Sequence, residues 1–233
     1  MKLSTRLQSL VDIATGPYQE VWDCCCDHGH LGRAFMQRGD IQHVHFVDVV
    51  PEIMAQLKQR LSETNGEDQA EILRPDVQWS VHCEDLRTLV FPELSVLPGQ
   101  SGRRLIVIAG VGGDLMMEMV AALQNNNPGQ RLEFLLCPVY HVFKLRSALA
   151  ESGFGLLNET IVQDGGLFYE ILHIATDSSE PLSSVGSMMW DFDQHHHYEY
   201  LSQLISHYER VAKGLGQQKV PMLAEYRALL PQG

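Results

Sequence analysis

Basic residues are scarce in this chain. Its 233 residues hold 17 Lys and Arg against 29 Asp and Glu, a net charge of −12 with histidine neutral. That excludes a broadly basic surface of the kind that tracks a phosphate backbone. Long apolar runs are also missing. No stretch approaches the roughly 18 residues of a membrane helix, and no signal-type run follows Met1-Lys2-Leu3-Ser4-Thr5-Arg6. The expectation is a soluble, cytoplasmic protein with no membrane partner. Cysteine is sparse: Cys24, Cys25, Cys26, Cys83 and Cys137 are odd in number, three are adjacent, and none has zinc-ligand spacing. They read as reduced thiols that alternate sides on a strand, and no metal is expected. A Gly-x-Gly-x-x-Gly turn is absent too. Only Gly29 and Gly32 follow the first strand, which argues against a pyrophosphate loop.

What the chain does have is periodicity. Hydrophobic residues make up 45% of it, enough for a core without disulfide or metal staples. Leu3, Leu7, Leu10, Val11 and Ala14 recur at helical spacing until Gly16-Pro17. Strands are expected at 21–24, 44–48, 77–81, 105–109 and 132–137. Helices are expected from His30 through Gly39, from Pro51 to Leu61, after Gly113, and from Val142 to Glu151. The segments 63–76 and 92–103 read as loops. Residues 155–161 and 168–175 flank Asp164-Gly165-Gly166, a β-hairpin signal. Strand–helix alternation five times, then an antiparallel pair, makes an α/β sandwich with a mainly parallel sheet.

Composition changes after residue 178, where Ser178, Ser179, Pro181, Ser183, Ser184 and Gly186 form a linker-like stretch. Beyond it, Tyr198, Leu201, Leu204, Ile205, Tyr208 and Val211, then Met222, Leu223, Tyr226, Leu229 and Leu230, mark two amphipathic helices broken at Gly214 and Gly216. They form either a self-folded hairpin or a dimer seam, so the chain is expected to be a monomer or a homodimer. Two units are expected, at 1–178 and 187–233. His195-His196-His197 reads as a solvent-exposed helix start.

In an open α/β sheet, ligands bind beyond the carboxyl ends of the strands where strand order reverses. The first strand ends here in Asp23-Cys24-Cys25-Cys26-Asp27-His28-Gly29-His30. Asp23 and Asp27 disfavour a phosphate and suit a cationic or hydroxyl-bearing ligand. Asp48 closes the second strand, where its carboxylate either accepts from a ribose diol or caps the helix at Pro51. Glu84-Asp85 follow the third strand, within reach of an adenine amino group. Gly110-Val111-Gly112-Gly113 end the fourth, letting a ligand approach backbone amides or simply making a tight turn.

At these residues the chain resembles the Rossmann-like class I methyltransferases that use S-adenosyl-L-methionine (SAM). More narrowly, it resembles the bacterial tRNA adenine-22 N1-methyltransferase family (TrmK-like). The family's Leu-Ser-x-Arg-Leu is present as Leu3-Ser4-Thr5-Arg6-Leu7, its Asp-x-Gly-Ser-Asp-His as Asp23-Cys24-Cys25-Cys26-Asp27-His28, and its Ala-Gly-Met-Gly-Gly as Ala109-Gly110-Val111-Gly112-Gly113. Its Gln-Pro is Cys137-Pro138, and its late Asp-Gly-x-x-Tyr-Glu-Ile is Gly165-Gly166-Leu167-Phe168-Tyr169-Glu170-Ile171. Cys25 stands where the family has glycine, and Cys137 where it has glutamine.

The resemblance implies SAM as cofactor, tRNA as substrate, methyl transfer to adenine N1, and a C-terminal extension of coiled-coil type. It implies cofactor contacts from Arg6, Asp23, Cys25, Asp27, His28, Gly29, Asp48, Val49, Glu84, Asp85, Gly110, Val111 and Gly112. Arg6 would meet the SAM carboxylate, or else be an exposed helix charge. Asp27 or His28 would accept the proton lost by the base, although His28 can also serve only to order its loop. Two other readings stay open: a methyltransferase of this fold acting on another RNA, a small molecule or a protein, and a SAM-binding interaction module with impaired catalysis. The tail, at −2 over residues 180–233, is as acidic in sign as the rest. RNA docking is therefore confined to local basic spots: Lys2 and Arg6, Arg33 and Arg38, Arg103 and Arg104, or Arg131, Lys144 and Arg146.

Overall fold

The structure is a computed structural model that describes residues 3–63, 74, 76–94, 102–215 and 220–230. Most of the expected loop from 63 to 76, part of that from 92 to 103, and Lys2 and Gly216 lie outside the described residues.

Continuous apolar strands require both faces of a sheet to be covered, and this sheet is covered on both. The strands are β1 (Tyr18–Cys24), β2 (Ile41–Asp48), β3 (Gln78–Cys83), β4 (Arg104–Ala109), β5 (Glu133–Cys137), β6 (Gly155–Asp164) and β7 (Leu167–Ala175). They form one seven-stranded sheet in the order β3-β2-β1-β4-β5-β7-β6. The first five pair in parallel; β7 is antiparallel to β5 and β6. Along β4 the side chains alternate as a strand demands: Leu105 and Val107 enter one apolar cluster, Ile106 and Ile108 the other. The first cluster is covered by α1 (Thr5–Ile13), α2 (His30–Met36) and α3 (Pro51–Glu63), the second by α4 (Gly113–Asn126) and α5 (Val142–Glu151). Gly165 and Gly166 turn the β6–β7 hairpin at φ 59° and 79°, the left-handed pair that a two-residue turn needs.

Three expectations are corrected. The alternation of strand and helix is not complete: among the described residues, only a short 3-10 turn (Leu86–Thr88) lies between β3 and β4. The adjacent cysteines do not alternate along a strand, because β1 ends at Cys24 and Cys25 turns left-handed at φ 58°. The first α/β helix stops at Met36, short of Gly39. A stack of His43, His45 and Trp22, with ring centroids 3.9 Å apart at each step, was not legible in the sequence.

The C-terminal helices are α6 (His195–Leu215) and α7 (Pro221–Ala228). Leu201 and Tyr226 are fully buried together, with Leu204, Ile205 and Tyr208 packed against them. These residues pack α6 against α7 within the chain, with Leu204, Ile205 and Tyr208 partly exposed. The expected exposed histidine run is corrected as well: His197 is buried, and its Nδ1 accepts the Asp191 N–H at 2.9 Å. Among the described residues, no helix is long and apolar enough to cross a membrane.

The tail is fastened to the sheet by a buried ion cluster. Arg146 of α5, fully buried, lies 2.7 Å from both Glu159 on β6 and Glu170 on β7. Glu159 also accepts the N–H groups of Ser187 and Met188, and Glu170 accepts the Tyr200 hydroxyl of α6 at 2.9 Å. Burial works against a charged Arg146, but the two carboxylates outweigh it and hold its pKa above the usual range. Removing the cation would strand two buried acids. Arg146→Met is expected to lower stability by about 3–5 kcal/mol, read as a drop in the urea midpoint.

Candidate functional site

Strand order reverses between β1 and β4, which lie side by side but run on to opposite halves of the sheet. Beyond their carboxyl ends lies a cavity of about 260 Å³, just below the roughly 300–1,000 Å³ usual for ligand pockets. It is lined by Arg6, Asp23, Cys25, Asp27, His28, Gly110 and Val111, all expected from the sequence, and by Leu7, Cys24, Cys26, His30, Leu31 and Ala109, which were not singled out. The missed residues neighbour the expected ones, so proximity along the chain was the available signal. Gly29, Asp48, Val49, Glu84, Asp85 and Gly112 stand outside this lining.

Two carboxylates shape the loop after β1. Asp23 is buried, and its Oδ2 accepts the Gly32 N–H at 2.7 Å, tying the strand end to the first turn of α2. Desolvation raises its pKa to about 7, against the lowering effect of that hydrogen bond; the negative charge of Asp48 adds to the rise. Gly32 has no room for a side chain: a Cβ there would sit 2.3 Å from Phe46 and 2.9 Å from Asp23. Asp48 is not a helix cap in the expected sense. Its Oδ2 accepts from Asp27 N–H at 3.1 Å, and its Oδ1 from Val49 and Val50 at 2.8 and 3.2 Å. It thereby holds Asp27, at φ 48°, on the rim.

Arg6 is not an exposed helix charge. It is half-buried, its guanidinium lies 4.7 Å over the Tyr169 ring, and its Nε is buried without a hydrogen-bond partner. His28 Nε2 lies 3.7 Å from Asp27 Oδ1. Cys25 lines the cavity, and burial pushes its thiol up to about 12, with Asp48 and Asp23 adding to the rise; the group there is a neutral thiol. Val49 is exposed at 60%. Asp85 is committed to Arg87, whose guanidinium grips both of its oxygens at 2.6–3.0 Å. Among the described residues, no group of three or more His, Cys, Asp or Glu is arranged to hold a metal ion.

The basic spots expected to meet RNA are mostly spent. Arg104 and Arg146 are buried, and Arg103 and Arg131 both reach Glu133. Arg38 is bound to Asp40 and to the carbonyls of Val11 and Gly16. Lys144 remains solvent-facing and is paired with Asp114 at 2.6 Å.

The family described as "Methyltransferase domain" matches residues 3–172. A candidate tRNA methyltransferase of Mycoplasma pneumoniae is 29% identical over 153 residues, which are 66% of this chain and 62% of that protein's length. The chain thus spans less than two thirds of the curated relative it matches. Among solved structures, the Bacillus subtilis m1A22 tRNA methyltransferase TrmK is 18% identical, with a TM-score of 0.70 over 96% of this chain and 95% of that one. A candidate tRNA (m1A22) methyltransferase of Streptococcus pneumoniae, in complex with S-adenosyl-L-methionine, is 21% identical, with a TM-score of 0.67 over 97% and 99%.

Asp48 carries three backbone amides on one side chain. Asp48→Ala is expected to cost about 1–2 kcal/mol, while Asp48→Asn, which keeps an acceptor oxygen, costs less. Chemical denaturation of the two variants checks this; equal losses would mean that charge, not acceptance, does the work.

Proposed function

The chain belongs to the methyltransferase domain family, and from that premise we propose that it uses SAM to methylate N1 of an adenine, at position 22, in tRNA. The observation that carries the reading is the acid-lined cavity at the β1–β4 reversal, lined also by Arg6, whose buried Nε has no hydrogen-bond partner among the described residues. The residues fit the cofactor's chemistry. Asp23 and Asp27 complement an ammonium and a sulfonium, and the buried Nε of Arg6 is an unmet donor for a carboxylate. Asp48 retains one acceptor site, on Oδ2, for a ribose hydroxyl beside its three backbone partners.

When bound, SAM supplies a methyl group for in-line displacement. The protein's task is to align the two reactants and exclude water. Adenine N1 is already a lone-pair nucleophile, so what remains is a route for the proton of the exocyclic amine. Asp27, exposed on the rim with His28 beside it, is the acceptor in this reading. The tRNA-methyltransferase relatives support the substrate; the acidic surface requires that the RNA be met at few points. The helices α6 and α7 belong, in this proposal, to substrate binding rather than to cofactor binding.

Two experiments test it. Nucleoside mass mapping of tRNA from a strain lacking the gene should show loss of N1-methyladenosine at position 22; an unchanged level sinks the substrate assignment. The second concerns Asp23. A bound ammonium favours its ionised form, so SAM binding should release a proton while pH lies below about 7. Affinity should then weaken as pH falls from 7 to 5, by up to about ten-fold per unit. Calorimetry at pH 6.5 in two buffers of different ionisation enthalpy measures the proton, and Asp23→Asn should abolish its release.

A further inference from the structure

The loop after β5 places one large aromatic side chain where solvent reaches it. Tyr140 is 56% exposed. An exposed aromatic ring needs a reason when its backbone is held rigidly, and here it is. The Val139 N–H donates to the Val111 carbonyl at 3.0 Å, and the Gly113 N–H donates to the Tyr140 carbonyl at 2.9 Å. These two bonds zip the β5–α5 loop to the glycine turn after β4. Gly110 and Val111 of that turn line the cofactor cavity. The ring itself rests on Gly112: a Cβ there would lie 2.3–2.5 Å from Tyr140 Cζ, Cε2 and Oη. Gly113 is equally constrained, since its Cβ would lie 2.8 and 2.9 Å from the carbonyl oxygens of His141 and Tyr140. Gly112 thus seats an aromatic ring one residue from the cavity wall, and Gly113 lets the backbone of the next loop pass close behind it.

The neighbours of the ring are unusual for so acidic a chain. His141, left-handed at φ 60°, stands edge-on to it at 4.8 Å. Asp114 receives His141 Nδ1 at 2.5 Å and Lys144 Nζ at 2.6 Å, and Lys144 remains 68% exposed. A flat ring just before the helix start that carries Lys144, a cation held through Asp114, matches a nucleotide: a planar base followed by a phosphate. A base whose ring nitrogen is to be methylated must leave its stack and find another surface. Aromatic side chains supply that surface for single-stranded bases.

We infer that Tyr140, seated on Gly112 at the rim of the cofactor cavity, is the stacking surface that positions the substrate's nucleobase, with Lys144 beside it for an adjoining phosphate. This rests on the reading of the substrate as an RNA base. The face of the ring does the work, not its hydroxyl.

The test compares the full chain with Tyr140→Ala and Tyr140→Phe. The probe is a short single-stranded RNA carrying one 2-aminopurine, whose fluorescence is quenched on stacking. Wild type and Tyr140→Phe should quench it, and Tyr140→Ala should bind it at least five-fold more weakly. On tRNA, Tyr140→Ala should lower kcat/KM by roughly 5- to 150-fold, the loss of one base–aromatic stack. SAM affinity, measured by calorimetry, should stay within about two-fold in each variant, which also certifies that the pocket has folded. Undiminished quenching by Tyr140→Ala, an equal loss in Tyr140→Phe, or no quenching by the wild type each overturns the inference. If the wild type leaves tRNA unmethylated yet quenches through Tyr140, the substrate assignment fails and the stacking surface stands. If Tyr140→Ala methylates tRNA normally, the reverse holds.

Discussion

A carboxylate buried at the end of a strand, accepting one backbone N–H, is the constraint on which this molecule's site depends. Asp23 reaches Gly32 at 2.7 Å and so sets where the loop after β1 turns and where α2 begins. The requirement propagates. Gly32 has no room for a Cβ because Phe46 and Asp23 already fill the space, and Gly29 has none because Leu57 and Phe46 do. With α2 pulled close, the loop has to rise through Cys25 and Asp27 in left-handed conformations, each of which costs a non-glycine residue roughly 1–2 kcal/mol. Asp48 offsets that strain by accepting the Asp27 N–H from the neighbouring strand end. Two neighbouring strand ends, those of β1 and β2, thus cooperate to hold one loop, and the cavity is what the loop leaves open.

The same economy explains the charge. Several acids that make the chain −12 are structural acceptors rather than surface decoration. Glu133 is fully buried. Burial alone would raise its pKa, but hydrogen bonds from His173, Arg103, Arg131 and Tyr18 hold it well below the usual carboxylate range. Glu159 and Glu170 enclose Arg146 in the same manner. Each such cluster consumes arginines that a sequence count would assign to a nucleic-acid surface. Buried ion clusters of this kind add little net stability over apolar packing, yet they cannot lose a member without exposing an unpaired charge. Here they dictate where separate segments meet: β1, the residue leading into β4, β5 and β7 around Glu133, and α5, β6, β7 and α6 around Arg146 and Glu170.

Much of the architecture was legible in the sequence because it follows from periodicity. β4 reads as an unbroken apolar run, and such a run can be satisfied only by helices on both faces. The Gly165-Gly166 pair demanded a two-residue hairpin, and the tail's apolar spacing demanded two packed helices. The cavity residues Asp23, Asp27 and Gly110 were legible for a topological reason, since strand ends at an order reversal form the crevice. The β1–α2 loop was harder. Consecutive cysteines carry no mark that says where a strand stops, and the alternation expected of them fails because Cys25 leaves the extended region. His197 likewise gave no sign that it would be buried as an acceptor for Asp191, because that hydrogen bond depends on how the segment before α6 folds back on the helix start.

What this sequence determined by itself was therefore the set of elements and the strand ends that could bind a ligand, because those depend on residue spacing alone. Tertiary structure alone decided which charges are spent. Arg104 and Arg146 look identical in sequence to Lys144 and Arg6, yet the first two are sealed against glutamates, Lys144 stays in solvent, and Arg6 turns into the cavity. The reason is physical. A cation's partner is set by distance in three dimensions and by the cost of desolvating it, and neither quantity is written along the chain.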